Sequence, residues 1–364
     1  MNRWVISAFV GGASLVSSLA NALPTLTETH DLPAYHALSG ESSVSGLSSG
    51  GFMAAQFHVA YSHSLIGAGV VAGGPWDCAG ANSLAAPAFN AISQCMNPDH
   101  YQTRLPNIEH LAALAQQAAQ RGDIDSLADL RSDHVYLFSG SKDHIVVPAV
   151  VHATEHFYEA VGVPAQSIIF NHTIAAGHGF ITDKKTDSQC GKTAAPYINN
   201  CHLDLAQQIL ETIYGPLNPP ANSISGHLVM FDQQPFVPGV SDRQRQQSYL
   251  ADKGYVYIPT SCDTDDCRVH IAFHGCEQNA GTVGTYYISE TGYMEMAETN
   301  DLIVLFPQVK KGVMNPHGCW DFWGYTSNNM PPYQYYTKRA PQMAAIKAML
   351  DRLTSAEVTA RIVR

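Results

Sequence analysis

The chain has 364 residues, of which 45% are hydrophobic and 14% are charged. That composition is typical of a compact folded protein and excludes extended disorder. The formal net charge of -11, without any run of Lys or Arg, argues against nucleic acid as a partner, because phosphate binding depends on clustered cations.

The first 22 residues have the pattern of a signal peptide. Arg3 precedes an apolar stretch, which ends in the small residues Ala20-Asn21-Ala22. Gly and Ser interrupt that stretch and leave it too short for a membrane anchor. We therefore expect a leader at 1–22 and one mature domain at 23–364. The mature chain should have no stable membrane anchor and be periplasmic or secreted.

Eight cysteines follow the predicted leader, and an even number in an exported chain indicates disulfides. The sequence leaves their connectivity open, and pairing between neighbours along the chain is our working hypothesis. A zinc site at Cys262 and Cys267 fits neither the spacing nor the compartment. The hypothesis pairs Cys78 with Cys95, Cys190 with Cys201, Cys262 with Cys267, and Cys276 with Cys319.

Predicted strands alternate with predicted helices along the chain, which indicates an α/β fold. A Pro-, Gly- and Asn-rich connection at 214–226 separates the two halves. The strands are predicted at 42–46, 67–74, 134–140, 166–172, 253–259, 268–275 and 301–307. The helices are predicted at 50–62, 107–120, 148–161 and 341–353.

The segment Gly46-Leu47-Ser48-Ser49-Gly50 matches G-x-S-x-G. In this motif a serine lies on a sharp turn between a strand and a helix, and small neighbours allow the backbone to fold closely around it. The N–H groups at the start of the following helix point towards the serine and favour a developing oxyanion. Ser48 is therefore the predicted nucleophile.

A nucleophilic serine needs a base to take its proton and a carboxylate to orient that base. Asp143 follows the third predicted strand and His178 the fourth, so the order is Ser, Asp, His, with each residue at the carboxyl end of a strand. The rival acids are Asp133 and Asp183, which we expect to be surface residues. The rival bases are His144, His172 and His202.

The oxyanion of an ester hydrolase also needs N–H donors. The residue after the nucleophile, Ser49, supplies one, and the loop His274-Gly275-Cys276 after a later strand is suited to supply another. In most α/β hydrolases such a His-Gly loop precedes the serine, whereas here it follows far behind. The order predicts that the two halves of the fold have been exchanged along the chain.

The segments "GLSSGGFMAAQFHVAYS", "GSKDHIVVP", "AAGHGF", "HGCEQN" and "HGCWDFWGY" together resemble the poly(3-hydroxybutyrate) depolymerases with a circularly permuted α/β-hydrolase fold. The likeness extends over nearly all of the mature chain. It implies a mostly parallel central sheet with flanking helices and no cofactor or metal. It also implies Ser48, Asp143 and His178 as catalytic residues, with the N–H groups of Ser49 and Cys276 as the oxyanion hole.

The same resemblance implies contacts with a polyester or oligoester substrate from Trp320, Trp323 and His274. Many members of the family append a polymer-binding domain, whereas this chain ends soon after its last predicted helix. We therefore expect amorphous polymer or soluble oligomers as substrates. Most other rings of the aromatic segment at 319–336 are expected to fill the core.

Three different functions remain open. The segment His152-Ala153-Thr154-Glu155-His156 matches H-x-x-E-H, a zinc peptidase motif, although amphipathic packing explains that helix without a metal. A feruloyl or acetyl esterase acting on plant polysaccharide would use the same serine chemistry with a different crevice. A secreted binding protein would keep the fold without turnover.

Overall fold

The computed structural model describes residues 24–239 and 241–356, so the predicted leader lies outside the described residues. Within them, nine strands form one mixed sheet and three short strands form a second, parallel sheet. The strands are β1 (Leu26–Glu28), β2 (Ser42–Leu47), β3 (Leu65–Val71), β4 (His134–Phe138), β5 (Ile168–Asn171), β6 (Phe180–Thr182), β7 (Ser188–Gln189), β8 (Ile198–Asn200), β9 (His227–Asp232), β10 (Lys253–Ile258), β11 (Arg268–Phe273) and β12 (Leu302–Phe306). The helices are α1 (Ser49–Ala60), α2 (Pro87–Ser93), α3 (Pro98–Tyr101), α4 (Ile108–Gln120), α5 (Pro148–Ala160), α6 (Leu205–Tyr214), α7 (Asp242–Gln247), α8 (Ala280–Val283), α9 (Tyr286–Glu290), α10 (Tyr293–Thr299) and α11 (Pro341–Thr354).

The large sheet has the strand order β1-β9-β10-β12-β11-β2-β3-β4-β5. It is parallel except where β10 pairs with β9 and with β12. The central strands β2, β3 and β12 are almost entirely buried, as expected for a sheet covered by helices on each side. This arrangement is the predicted α/β-hydrolase fold.

The order of the strands shows the circular permutation. Across the sheet, β9, β10, β12 and β11 lie on one side of β2, and β3, β4 and β5 lie on the other. The first group comes from the rear of the sequence, although in the sheet it precedes β2–β5. The nucleophile strand β2 therefore lies in the middle of the sheet, between β11 and β3. The rear of the chain supplies the half of the sheet that precedes the serine in an unpermuted hydrolase.

The beginning and the end of the described chain meet, as the permutation requires. The N–H groups of Tyr35 and Ala37 both donate to the carbonyl oxygen of Leu353 at 3.1 Å. Leu353 lies in the last turn of α11, so the segment leading into β2 packs against the terminal helix. The terminal helix thus lies close to the segment that leads into β2, which agrees with the predicted exchange of the two halves.

The connection at 214–226 joins α6 to β9 and is fastened to α10. The N–H of Asn218 donates to Asn300 Oδ1 at 2.8 Å, and the N–H of Ser225 donates to Glu298 Oε1 at 3.0 Å. This Pro-rich segment therefore packs on the surface of the fold instead of forming a free linker.

The four hypothesised disulfides are all present. Among the helices of the described ranges, none is both long enough and apolar enough to cross a membrane. The seven predicted strands and four predicted helices are all found, with shifts of a few residues at their ends. The strands and helices that were not predicted from the sequence are mostly short, and a short segment shows no clear hydrophobic period.

Candidate active site

Ser48 lies at the sharp turn between β2 and α1. Its backbone has φ 57° and ψ -122°, a conformation that is strained for a residue with a side chain. The turn needs glycine on both sides, because a Cβ on Gly46 would overlap the carbonyl of Gly50. A Cβ on Gly50 would in turn overlap the carbonyl oxygen of Phe273. The motif thus brings the start of α1 into direct contact with the end of β11.

Asp143 and His178 lie on the loops after β4 and β5 and are both buried. His178 Nδ1 lies 2.8 Å from Asp143 Oδ2. The other carboxylate oxygen accepts the N–H groups of Ile145 at 2.8 Å and Val146 at 3.1 Å, which hold the carboxylate in place. A carboxylate facing Nδ1 keeps the proton on that nitrogen, so Nε2 of the neutral ring can accept a proton.

Ser48 and His178 line the same cleft, which has a volume of about 570 Å³. The structure therefore brings the three predicted catalytic side chains together, with Asp143 behind the histidine. Most of the cleft wall is apolar and is formed in part by Ala88, Ala91, Ile92, Ile145, Phe322 and Trp323. Such a wall suits an uncharged, largely apolar ligand.

The predicted oxyanion loop reaches Ser48 because β11 lies parallel to β2, with Phe273 opposite Gly46. A Cβ on Gly275 would lie only 3.5 Å from the Cβ of Ser48. The N–H of Gly275 already donates to Gln278 Oε1 at 2.7 Å, whereas that of Cys276 has no acceptor among the described residues. Cys276 lines the cleft, so its free N–H is available to an oxygen bound there.

His274 does not line the cleft, contrary to its prediction as a substrate-binding residue. It is fully buried behind the loop, with Nδ1 2.7 Å from the carbonyl oxygen of Gly275 and Nε2 3.3 Å from the backbone nitrogen of Val309. Burial lowers the pKa of His274 to about 4, so the ring is neutral. Its Nδ1–H donates to Gly275 and its Nε2 accepts from Val309, and both contacts support the oxyanion loop.

Trp320 was also predicted to contact the substrate, but it does not line the cleft. Its side chain is 0% exposed and packs against the rings of Phe273 and His274, with centroid distances of 5.1 and 5.4 Å. Trp323 does line the cleft, together with its neighbour Phe322. The prediction of Trp320 was wrong because an irregular segment gives no period from which to deduce which ring faces inward.

The rival acids and bases lie away from the cleft. Asp133 was expected at the surface, but it is buried, and its Oδ2 lies 3.0 Å from His58 Nε2. A buried carboxylate needs such a partner. The remaining acid and the three histidines are exposed and do not line the cleft: Asp183, His144, His172 and His202.

The H-x-x-E-H motif lies on the outer face of α5. His152 Nε2 lies 3.3 Å from Glu155 Oε2, and the rings of His152 and His156 are 4.3 Å apart. These side chains belong to a surface away from the Ser48 cleft. Within the ranges 24–239 and 241–356, no group of three or more His, Cys, Asp or Glu is arranged to hold a metal ion.

Several parts of the cleft were not predicted from the sequence. Helix α2 lies between the two cysteines of the Cys78–Cys95 disulfide and provides apolar residues of the cleft wall. Glu277 and His317 form part of the cleft rim. The position of Glu277, directly after Cys276, was a usable signal, because a residue beside a predicted oxyanion donor is expected to lie near a bound ligand. The short helix α2 carried no such signal.

Two known depolymerases are similar to this chain over most of its length. No family model matches the chain. A poly(3-hydroxybutyrate) depolymerase of Delftia acidovorans is 40% identical over 332 residues, 89% of this chain and 62% of that protein. This chain thus spans less than two thirds of the length of the Delftia relative. A polyhydroxybutyrate depolymerase of Talaromyces funiculosus is 33% identical over 346 residues, 89% of this chain and 92% of that protein.

Two solved structures are similar over 90% of this chain and 99% of their own, with a TM-score of 0.77 and 32% identity. One is the PHB depolymerase of Penicillium funiculosum. The other is a serine-to-alanine variant of a PHB depolymerase complexed with an R3HB trimer. Identity above 30% over nearly the whole length of the Talaromyces relative shows the family. This chain belongs to the poly(3-hydroxybutyrate) depolymerases.

Proposed function

We propose that this chain is an exported serine ester hydrolase that cleaves poly(3-hydroxybutyrate) or its oligomers through an acyl-enzyme intermediate. The observation that carries the proposal is the 2.8 Å contact between His178 Nδ1 and Asp143 Oδ2 beside a cleft that Ser48 lines. The family membership of the chain and the names of its relatives support the substrate class.

The acylation step begins when Ser48 Oγ attacks the ester carbonyl and His178 Nε2 takes the hydroxyl proton. Asp143 keeps the imidazole oriented and stabilises the imidazolium that forms. The oxygen of the tetrahedral intermediate receives hydrogen bonds from the N–H groups of Ser49 and Cys276. His178 then protonates the departing hydroxyl end of the polymer, and the acyl group remains on Ser48.

Deacylation repeats the same steps with water. His178 removes a proton from a water molecule, the hydroxide attacks the acyl carbonyl, and Ser48 leaves with the proton returned to it. The product is a free carboxylic acid. The reaction needs no metal or cofactor, because every proton transfer uses His178 and the negative charge on oxygen is stabilised by N–H donors.

The wider organisation is part of the proposal. Residues 1–22 act as a signal peptide, and residues 23–364 form one catalytic domain in the periplasm or outside the cell. The four disulfides support an oxidising compartment, where thiols pair and remain paired. Trp323 and Phe322 contact the apolar polyester chain in the cleft.

The test is product analysis after incubation with amorphous poly(3-hydroxybutyrate), using the wild type and Ser48→Ala. We expect the wild type to release soluble hydroxy acids and Ser48→Ala to lose at least about a thousandfold in rate. Ser132→Ala is the matched control, because Ser132 is an exposed serine just ahead of β4, away from the cleft.

Three results would refute the proposal. Equal rates for the wild type and Ser48→Ala would end the serine mechanism. Release of ferulate or acetate from plant polysaccharide without any release of hydroxybutyrate would assign a different ester to the same machinery. The absence of turnover on every ester would leave a binding protein.

A further inference from the structure

Glu277 is the one Asp or Glu among the described residues that line the Ser48 cleft, and no Lys or Arg lines it. It directly follows Cys276, whose N–H is the proposed oxyanion donor. Its backbone has φ 60°, and its N–H donates to the carbonyl oxygen of His317 at 2.8 Å. The carboxylate is therefore held at the cleft rim by a defined backbone turn.

The partners of Glu277 keep its side chain charged. Oε1 lies 2.9 Å from His317 Nδ1, and Oε2 accepts the hydroxyl of Tyr197 at 3.4 Å. The hydrogen bond from His317 is the main cause that lowers the pKa of Glu277, and Lys311 adds electrostatic attraction without lining the cleft. Glu277 is only partly covered, so a ligand in the cleft is exposed to its charge.

A charged side chain at the cleft rim is unexpected in an enzyme whose substrate has a neutral repeating unit. Internal esters of a hydroxyalkanoate chain carry no charge, but one end of every chain is a carboxylate, and each cleavage creates another beside Ser48. A carboxylic acid of this kind is ionised at neutral pH. Two negative charges within several ångströms repel each other, most strongly in a cleft with apolar walls.

We propose that Glu277 is a specificity-determining residue that disfavours chains whose free carboxylate end lies in the cleft. The inference rests on the proposed ester hydrolase function. Glu277 directs cleavage to esters away from the acid end and assists the departure of the acid product. The hydroxyl end of a chain carries no charge and meets no such barrier.

The experiment compares two trimers of 3-hydroxybutyrate, one with a free carboxylate end and one with that end as a methyl ester. The ratio of their kcat/KM values measures the preference for the neutral end. We expect the wild type to favour the methyl ester about threefold to tenfold at neutral pH and low salt. Glu277→Gln should bring the ratio close to one and strengthen inhibition by 3-hydroxybutyrate.

Two further variants separate charge from packing. Glu159→Gln removes a carboxylate on an exposed face of α5, away from the cleft, and should keep the wild-type ratio. His317→Gln leaves the Glu277 carboxylate without its imidazole partner and should keep the ratio at or above that of the wild type. Salt gives a test without any variant: about 0.5 M salt should lower the wild-type ratio, because it screens the repulsion.

The outcomes distinguish this inference from the function on which it rests. If both trimers are hydrolysed and the ratio is the same in the wild type and Glu277→Gln, the role of Glu277 is refuted while the esterase stands. A wild-type ratio that does not respond to salt also refutes it. If neither trimer is hydrolysed, the proposed function fails and the inference fails with it.

Discussion

The two regions that meet at the cleft are held together in different ways. The front region, which carries Ser48, Asp143 and His178, places its side chains at the ends of parallel strands and holds the Ser48 turn by close packing of backbone. The rear region, from His274 to Trp323, has only short helices apart from β12, and side-chain hydrogen bonds and a disulfide hold it in place. The contrast shows that one active site can depend on two kinds of rigidity.

The rear region is supported at several points. The Cys276–Cys319 disulfide ties the oxyanion loop to the segment that carries the cleft wall. Gln278 accepts the N–H of Gly275 and donates to the carbonyl of Pro196 at 2.8 Å. Asp321, which is buried, accepts the N–H groups of several following residues, including Gly324 at 2.6 Å. Removal of one support should therefore weaken this region, whereas a change in the front region should remove the chemistry itself.

The largest expected effect is on the front region, with Asp143→Asn. An asparagine cannot stabilise the imidazolium and can hold the wrong tautomer of His178, so kcat should fall about a thousandfold to ten-thousandfold. The measurement is hydrolysis of p-nitrophenyl butyrate, alongside thermal unfolding to show that the fold is kept. Asp183→Asn, an exposed aspartate after β6, is the control and should retain full activity. Equal losses in both variants would remove Asp143 from the mechanism.

The next effect is on stability, with Gly50→Ala. The added methyl group would overlap the carbonyl oxygens of Phe273 and His274, which are backbone atoms and cannot move aside cheaply. We expect a loss of at least about 3 kcal/mol in the free energy of unfolding, at the upper end for overpacking, measured by denaturant titration. Gly191→Ala is the matched control, because its nearest neighbour would be the flexible side chain of Lys142 at 3.6 Å. A stable Gly50→Ala protein would contradict the close packing of α1 on β11.

The same difference explains which parts of the molecule could be predicted from the sequence. The G-x-S-x-G turn, Asp143 and His178 follow strands with clear apolar runs, and strand ends in a parallel sheet converge on one edge. Their meeting in the cleft is therefore a consequence of regular structure. Three of the disulfide pairs of the described chain join cysteines that are close in the sequence, which short segments bring together, in agreement with neighbour pairing.

The rear region could be predicted only in part. The sequence indicated that the loop at Cys276 would approach Ser48, because β11 is a clear strand. It could not indicate that Trp320 turns into the core while Trp323 lines the cleft, since their segment has no helical or alternating period. Nor could it indicate that His274 is a buried support, because His-Gly at a strand end is compatible with either role.

A medium effect is expected in the rear region from the double change Cys276→Ser and Cys319→Ser. The disulfide closes a separation of 43 residues, and its loss should lower the free energy of unfolding by about 2–4 kcal/mol. The oxyanion loop should also loosen, so kcat on p-nitrophenyl butyrate should fall about tenfold. The paired control is Cys262→Ser with Cys267→Ser, a remote disulfide with a separation of 5 residues, which should leave kcat unchanged. A normal kcat in the first variant would show that the other supports suffice.

The smallest expected effect lies where the two strands that lead into these regions pair, at His270 of β11, which contacts β2. Its Nδ1 lies 2.7 Å from Ser43 Oγ and its Nε2 lies 2.8 Å from Ser45 Oγ. Full burial lowers the pKa of His270 to about 3, from 6.5 in an unfolded chain. Between these values the unfolded chain binds a proton that the folded one does not. Stability from this group is therefore fully present above pH 6.5 and is lost as the pH falls towards 3.

We expect His270 to contribute a loss of about 1–2 kcal/mol in the free energy of unfolding between pH 7 and pH 5. His270→Asn should be less stable than the wild type at pH 7, because one serine loses its partner, but it should lose less stability on acidification. His156→Asn, on the exposed face of α5, should keep the full wild-type slope. Burial of His274 also makes stability fall as the pH falls, as burial of His270 does. Burial raises the pKa of Asp77 to about 7, so its contribution to stability rises as the pH falls. His274 and Asp77 are present in each variant, so the difference between the pH slopes of the free energy of unfolding reports on His270 alone. Identical slopes in the wild type and His270→Asn would show that the contact between β11 and β2 does not depend on a neutral imidazole.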